Sequence, residues 1–586
     1  GLALAAPAPL PDPEPADSDS PAPAEGAGFD PRGSAGFVNW ETAHVHALER
    51  TPDGHRLLAV NTPDASLEVF TLVDGLPVRE RTIAVGLDPV SVRARTATEV
   101  WVVNHLSDSV SVVDLAAGAV IATLKVGDEP GDVAFANGRA FVSCGTAGQV
   151  LVFDPSNLAT APTTITLEGN TPRAMGVSPD GTKVYVAFFE SGNGTTVLGG
   201  GGDGQGTVAF PPNAVSDPVG PYGGVNPPPN AGAAFDPPRN PGAGTPPPVG
   251  IIVKKQADGR WLDDNHGDWT SLVTGANAAR SGRLPGWDLI DHDVAVLDAA
   301  SLAVTYTGGM MNICMSLAVN PATGEVAVVG TDATNEVRFE PKVKGTFLRV
   351  EMATMAGAGG SPLVRDLNPH LDYSVPTVPP EVRNLSLGDP RSVVFTSDGA
   401  RAYVAGMGSN NVIQIDTSSG AVLSRLDVPE GPTGLAIDES AGRLYVLSKF
   451  AAAVTTVDIS GGGLGAAADT RALFDPTPDA VKIGRKHLYN THLNSGLGQI
   501  SCASCHVDGK MDRLAWDLGD PSGSVAPLTG NNLGQGLPGL SPGSANPGFE
   551  AFHPMKGPMT TQTLQDIIGH EPHHWRGDRS GIEAFA

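Results

Sequence analysis

Cysteine is nearly absent, with four residues in a chain of 586. That excludes a scaffold built on disulfides. No apolar run approaches the roughly 18 residues that a membrane helix needs, so the chain is not expected to span a membrane. Basic residues are scarce as well. The 37 Lys+Arg against 63 Asp+Glu leave a formal net charge of −26, a field that repels nucleic acid and anionic lipid surfaces. Uninterrupted helix-forming sequence is also lacking, because 73 Gly and 51 Pro favour turns. The hydrophobic share is 40%, enough for a sizeable core. A chain of this length exceeds one compact globule, so two or more units are expected.

Against that background one motif stands out. Cys502-Ala503-Ser504-Cys505-His506 reads C-x-x-C-H, the pattern of covalent haem attachment. Two thiols must reach two vinyl groups on one porphyrin edge, and the adjacent imidazole must turn beneath the ring. A zinc site would want a second Cys/His pair, but Cys144 and Cys314 stand alone. A thioredoxin-like pair would want a βαβ context, which is missing. One haem c is therefore expected, with thioethers at Cys502 and Cys505 and His506 as proximal iron ligand. Haem c is attached outside the cytoplasm. The chain begins at Gly1, so it is expected to be a mature periplasmic or surface protein whose leader has been removed.

Most of the remaining chain repeats. Trp101-Val102-Val103-Asn104, four turn residues and Val110-Ser111-Val112-Val113-Asp114 read as a hairpin. The ten-residue interval from Asn104 to Asp114 recurs from Asn61 to Thr71, Cys144 to Asp154, Gly330 to Glu340, Gly406 to Asp416 and Ser448 to Asp458. A seventh copy is split, opening at Tyr185-Val186-Ala187 and closing at Asp293–Asp298. Four of the six gaps between closing positions lie between 40 and 43 residues. A period near 40 with about four strands per unit is the signature of a propeller blade. The expected fold is mainly β, a seven-bladed β-propeller over residues 36–474, followed by a small α-helical cytochrome c domain over 475–586. Residues 1–35, rich in Pro, Ala and acid, are expected to be a disordered tail.

Two insertions interrupt the period, at about 191–290 and 356–388. The first contains Asp263-Asp264-Asn265-His266-Gly267-Asp268, hard oxygen ligands in a tight turn. The run does not fit the EF-hand spacing, so calcium is a minor expectation beside a solvated acidic turn. Met310, Met311, Cys314 and Met315 would suit copper(I), but their place on an opening strand favours core packing. A Cys144–Cys314 disulfide is not expected, since the two lie in different blades.

Past Asp475, apolar residues between Pro478 and Tyr489 recur at helical spacing, with Pro478 and Asp479 at the start. The sixth iron ligand is open. Met559 in Lys556-Gly557-Pro558-Met559 leads, Met555 is its neighbour, and His570, His573 and His574 would give a bis-histidine site of lower potential.

Two resemblances follow from these motifs. Asp108–Asp114 and Tyr403-Val404-Ala405-Gly406 resemble the YVTN family of propeller repeats, across roughly residues 41–470. Ser501–His506, Asp508-Gly509-Lys510-Met511-Asp512, Trp516–Gly519, Lys556–Gln562 and His574–Arg579 resemble bacterial cytochromes of the di-haem peroxidase and MauG-like type. That resemblance implies that Trp516, Trp575 and Arg576 line the haem or its propionates. Such proteins continue into a second C-x-x-C-H, which this sequence does not contain up to Ala586. A second haem would lie beyond it, or the protein is a mono-haem relative. The expected function is electron transfer to or from a redox partner, such as another cytochrome, with the propeller as docking or support module. A peroxidase-like or quinoprotein-like oxidoreductase is the alternative, and a binding or surface scaffold the third reading. The sequence carries no sign of oligomeric state.

Overall fold

The alternating Val/Ile phrases fold as antiparallel hairpins. Glu99–Asn104 pairs with Ser109–Asp114, and Arg401–Gly406 with Asn411–Asp416. The turn between such strands carries a left-handed residue at a fixed place: Ala65, Asp108, Gly148, Asn410 and Ala452, with φ between 45° and 59°. Only Gly148 is free of a Cβ there; the others hold a conformation that costs an L-residue about 1 kcal/mol. The computed structural model describes residues 41–198, 250–275, 278, 290–357, 359–520, 522–524 and 556–567. The chain divides into two units, Gly1–Val38 and Asn39–Ala586, and every described residue belongs to the second.

Each hairpin is extended into a four-stranded antiparallel group. Five such sheets stand alone, and an eight-stranded sheet consists of two further groups joined at Glu190↔Ile313, so five plus two gives seven. Lys183–Glu190 pairs with Val294–Asp298 across the long insertion, which rejoins the split copy. The protein is thus mainly β, a curled array of sheets. The first strands of the groups are Leu48–Arg50, Pro89–Ala94, Pro130–Ala136, Asn170–Val177, Ile313–Val319, Pro390–Phe395 and Pro432–Asp438. Each packs against the next, and the last packs against the first. At that junction His44 hydrogen-bonds Thr433 and Thr62, both at 2.7 Å, and Arg50 pairs with Asp438 at 3.0 Å. First strands are buried, whereas outermost strands such as Ala467–Ala472 are largely exposed. The largest core cluster runs from the second group to the fifth, from Trp101 through Phe153 and Tyr185 to Met355.

One repeat departs from expectation. The interval Gly330–Glu340 does not close a hairpin, because Glu340 opens a helical turn and the partner strand is Leu348–Met355. The connection is diverted toward the first insertion, where Arg338 is held by Asp263 at 3.2 Å and Asp264 at 2.8 Å. That insertion contributes a three-stranded sheet of Thr195–Leu198, Ile251–Lys255 and Trp261–Leu262. The second contributes Leu363–Asp366, the outermost strand of the fifth group.

After Asp475 the described chain forms the helix Asp479–Tyr489, a turn of helix at Thr491–Asn494 and 3-10 turns at Cys502–Ser504 and Val507–Gly509. Ala515–Trp516 then pairs with Met559–Thr560. Within this segment, helix is limited to these pieces among the described residues. No helix among the described residues is long and apolar enough to cross a membrane.

Candidate functional site

The segment that carries the C-x-x-C-H motif is fixed to the sheets before the motif is reached. The helix Asp479–Tyr489 turns Arg485 and Tyr489 inward, onto Glu41 at 3.1 and 3.3 Å. Tyr489 also packs on Phe450, with ring centroids 4.8 Å apart. Thr491 donates its N–H to the Gly408 carbonyl at 2.9 Å. A Cβ on Gly408 would sit 2.7 Å from the Thr491 methyl and 2.9 Å from the Tyr489 carbonyl, so this close approach requires glycine.

The motif itself is one helical turn. The His506 N–H donates to the Cys502 carbonyl at 3.0 Å, and the Ser501 N–H donates to Ser504 Oγ at 2.9 Å to close its start. Residues at i, i+3 and i+4 share one face of such a turn. Cys502, Cys505 and His506 are therefore brought together, as the spacing requires. Cys502 is exposed, whereas Cys505 is partly covered by Ala333, Leu514 and Trp516. Burial pushes the Cys505 thiol well up, with the Asp512 carboxylate acting in the same sense.

The imidazole is oriented by a backbone oxygen. Nδ1 of His506 lies 2.7 Å from the Gln562 carbonyl. A carbonyl only accepts, so Nδ1 carries the proton and Nε2 keeps a free lone pair. Burial lowers the pKa of this histidine, which favours the neutral ring that a metal needs. The set fits a haem c: two thiols and a neutral imidazole on one face, the imidazole held by a second partner.

Met559 sits on the short strand that also leads to Gln562, opposite Trp516. It is half-buried. Met555, His570, His573, His574, Trp575 and Arg576 lie outside the described residues. Trp516 is buried beside Cys505, edge-on to Phe347 at 6.1 Å. Its Nε1 donates to Asp512 at 2.8 Å. Burial raises that carboxyl to about 6, and the Trp516 hydrogen bond opposes the rise.

Asp508, two residues past the histidine, adopts a left-handed φ of 55°. Its carboxylate meets Arg173 at 2.9 Å and Arg391 at 2.8 Å. These arginines stand on the first strands of the fourth and sixth groups. Arg391 also pairs with Asp389 at 2.7 Å, and Arg173 lies 3.6 Å over the Phe189 ring. Burial opposes ionisation of Asp508, but Arg391 and Arg173 outweigh it and hold the carboxyl far below its usual range. Val507 packs beside it on Phe189, Ile313 and Met315. Lys510 reaches Glu129 at 3.0 Å and Arg513 reaches Glu190 at 2.6 Å. Between these pairs lies a polar cavity of about 320 Å³.

Asp508, Arg173, Arg391 and Gln562 were missed by reading the sequence. One signal was present. Pro172-Arg173 and Pro390-Arg391 place a charge where other first strands carry Val90, Gly131 or Thr433.

The secondary candidates are otherwise engaged. Asp263 and Asp264 face Arg338, and Lys342 meets Asp264 at 2.8 Å. Met310, Met311 and Cys314 belong to the main core, while Met315 packs in the separate cluster around Val507. Cys144 and Cys314 are both buried free thiols. Among the described residues no group of three or more His, Cys, Asp or Glu is placed to hold a metal ion.

No family model matches the chain, and no curated protein matches it. Among solved structures, Kuenenia stuttgartiensis hydrazine synthase superposes with a TM-score of 0.48 at 14% identity, over 73% of this chain and 99% of that one. A likeness at that level carries no argument about fold or activity.

Proposed function

We propose that the protein is an exported c-type cytochrome that relays single electrons through one haem bonded to Cys502 and Cys505 and ligated by His506. The observation that carries this reading is the 502–506 turn, which presents both thiols and a neutral, Nδ1-anchored imidazole on one face. Bound there, haem would supply the Fe(III)/Fe(II) couple. The chain's own residues set its surroundings. Gln562 holds the imidazole plane and raises its basicity. Leu514, Trp516 and Ala333 keep water from the Cys505 side. The Cys502 side is open, and it is where we place the approach of a redox partner, such as another cytochrome.

The seven four-stranded groups, with the last packed on the first, support a seven-bladed propeller of the YVTN type as the platform. Val507 and Asp508 cover the first strands of the fourth to sixth groups. That favours a supporting role for the propeller over a substrate-bearing one.

Haem stoichiometry and spectra of the full-length protein test the proposal. One covalent haem per chain, a sulfur-to-iron charge-transfer band in the ferric state and no carbon monoxide binding are expected. A high-spin haem that binds carbon monoxide and reacts with peroxide would replace the relay with the peroxidase-like reading. A protein without covalent haem would remove both.

A further inference from the structure

Asp508 ties the motif to two distant strands by charge as well as by packing. Arg173 and Asp508 are 335 residues apart in sequence, and Arg391 comes from yet another sheet group. All of them are buried, as is Asp389. Two guanidinium groups thus face two carboxylates in direct contact, and these four charges offset one another. Lys449, with Glu41 and Arg485 beside it, adds a further charge that acts on Asp508 and Arg391. The four side chains in contact are largely buried, and only Arg173 and Asp508 border the polar cavity. Removing any one of their charges therefore leaves a net charge that solvent screens only in part. The cluster is also only two residues from His506, and the left-handed Asp508 and Gly509, with φ of 55° and 71°, turn the backbone down into it. Gly509 in turn accepts the Leu564 N–H at 2.8 Å, two residues past the Gln562 carbonyl that holds the imidazole.

We propose that Asp508 is a positioning residue that clamps the haem-bearing turn between Arg173 and Arg391 and, by neutralising them, sets the reduction potential of the haem. The inference rests on the covalent-haem reading above. The electron comes from and returns to an external redox protein, and Asp508 exchanges neither proton nor electron.

The experiment is a redox titration of the full-length haem protein with four variants, together with amide hydrogen exchange over residues 501–513. Asp508→Asn leaves two guanidinium groups facing one carboxylate, so the midpoint potential rises and exchange in the turn speeds up. Arg391→Gln lowers the potential. The double variant Asp508→Asn with Arg391→Gln restores neutrality and returns the potential toward the wild-type value, although the clamp stays broken and exchange stays fast. Asp508→Glu keeps the charge and holds the potential closer to wild type than Asp508→Asn does. A clamp with only a structural role would speed exchange in every variant without this charge-ordered shift, and that result overturns the proposal. An unchanged potential and unchanged exchange in Asp508→Asn overturns it too. If Asp508→Asn does not fold, the opposite shift in Arg391→Gln, or its absence, decides. Absence of covalent haem in the wild type is a different failure, that of the reading on which the inference rests.

Discussion

His506 and Met559 pose the residue-scale question, which side chain faces the imidazole across the iron. The imidazole's own state follows from one carbonyl, Gln562, 2.7 Å from Nδ1. Met559 is tethered three residues earlier, through its pairing with Trp516. A thioether raises the potential and closes the sixth position. Met559→Ala is therefore expected to abolish the sulfur-to-iron band and admit carbon monoxide while covalent haem is retained. An unchanged ferric spectrum would pass the role to Met555 or to one of His570, His573 and His574. At this scale the sequence was uneven as a guide. Bond-forming chemistry dictates the C-x-x-C-H spacing, so Cys502, Cys505 and His506 could be read directly. The partners Arg173 and Arg391 could not, since their contact with Asp508 spans hundreds of residues and depends on how the sheets are ordered in space.

Strands and helices were legible where one period repeats. The ten-residue hairpins emerged because their left-handed turn residue and alternating apolar strands are local features. The copy at Gly330–Glu340 misled because a tertiary demand, Arg338 reaching Asp263 and Asp264, diverts the chain. What joins the last group to the first was invisible in the sequence. His44, fully buried, bridges Thr62 and Thr433. Burial depresses its pKa well below 6.5, and Lys449 and Arg485 add to this. The native state therefore holds His44 neutral. Stability from this group is present above the unfolded pKa of about 6.5 and is lost as pH falls below it, by up to about 1.4 kcal/mol per pH unit. Urea midpoints at about pH 7 and about pH 5 should differ in that direction, and His44→Ala should flatten the difference while costing about 1–3 kcal/mol at neutral pH. A larger acid loss in His44→Ala than in wild type would refute this role. The docking of the helix Asp479–Tyr489 is tested by Gly408→Ala. Its new Cβ meets backbone at 2.9 Å, so a loss of about 1–3 kcal/mol is expected, read as earlier proteolysis after Lys482 or Lys486.

Across the whole molecule, a net charge of −26 coexists with carboxyls that the fold keeps from ionising. Asp293 is pushed up to about 8 by burial, with Asp291 adding repulsion. Glu351 is pushed up to about 7 and Asp332 to about 6, again chiefly by burial. These groups surround the junction of the fourth and fifth sheet groups, where Asp293 Oδ2 accepts the Met310 N–H and the Cys314 thiol lies 3.9 Å from Oδ1. In an unfolded chain such carboxyls titrate near 4, so between about pH 4 and about pH 8 these groups bind more protons in the native state than in the unfolded one. Stability then falls as pH rises through that window, by up to about 1.4 kcal/mol per unit for each such group. The trend opposes that of His44, and the two together place maximal stability in mildly acidic solution, between the histidine limb and the carboxyl limb. Melting temperature followed across the window should peak below neutrality and decline toward about pH 8. Added salt should reduce whatever part of the decline comes from surface self-repulsion, because exposed charges are screened and buried ones far less. Asp293→Asn separates the two parts. It keeps an acceptor for the Met310 N–H and removes the ionisation, so the salt-insensitive part of the decline should shrink in the variant. A wild-type decline that salt abolishes altogether would assign the whole effect to the surface and none to the buried carboxyls.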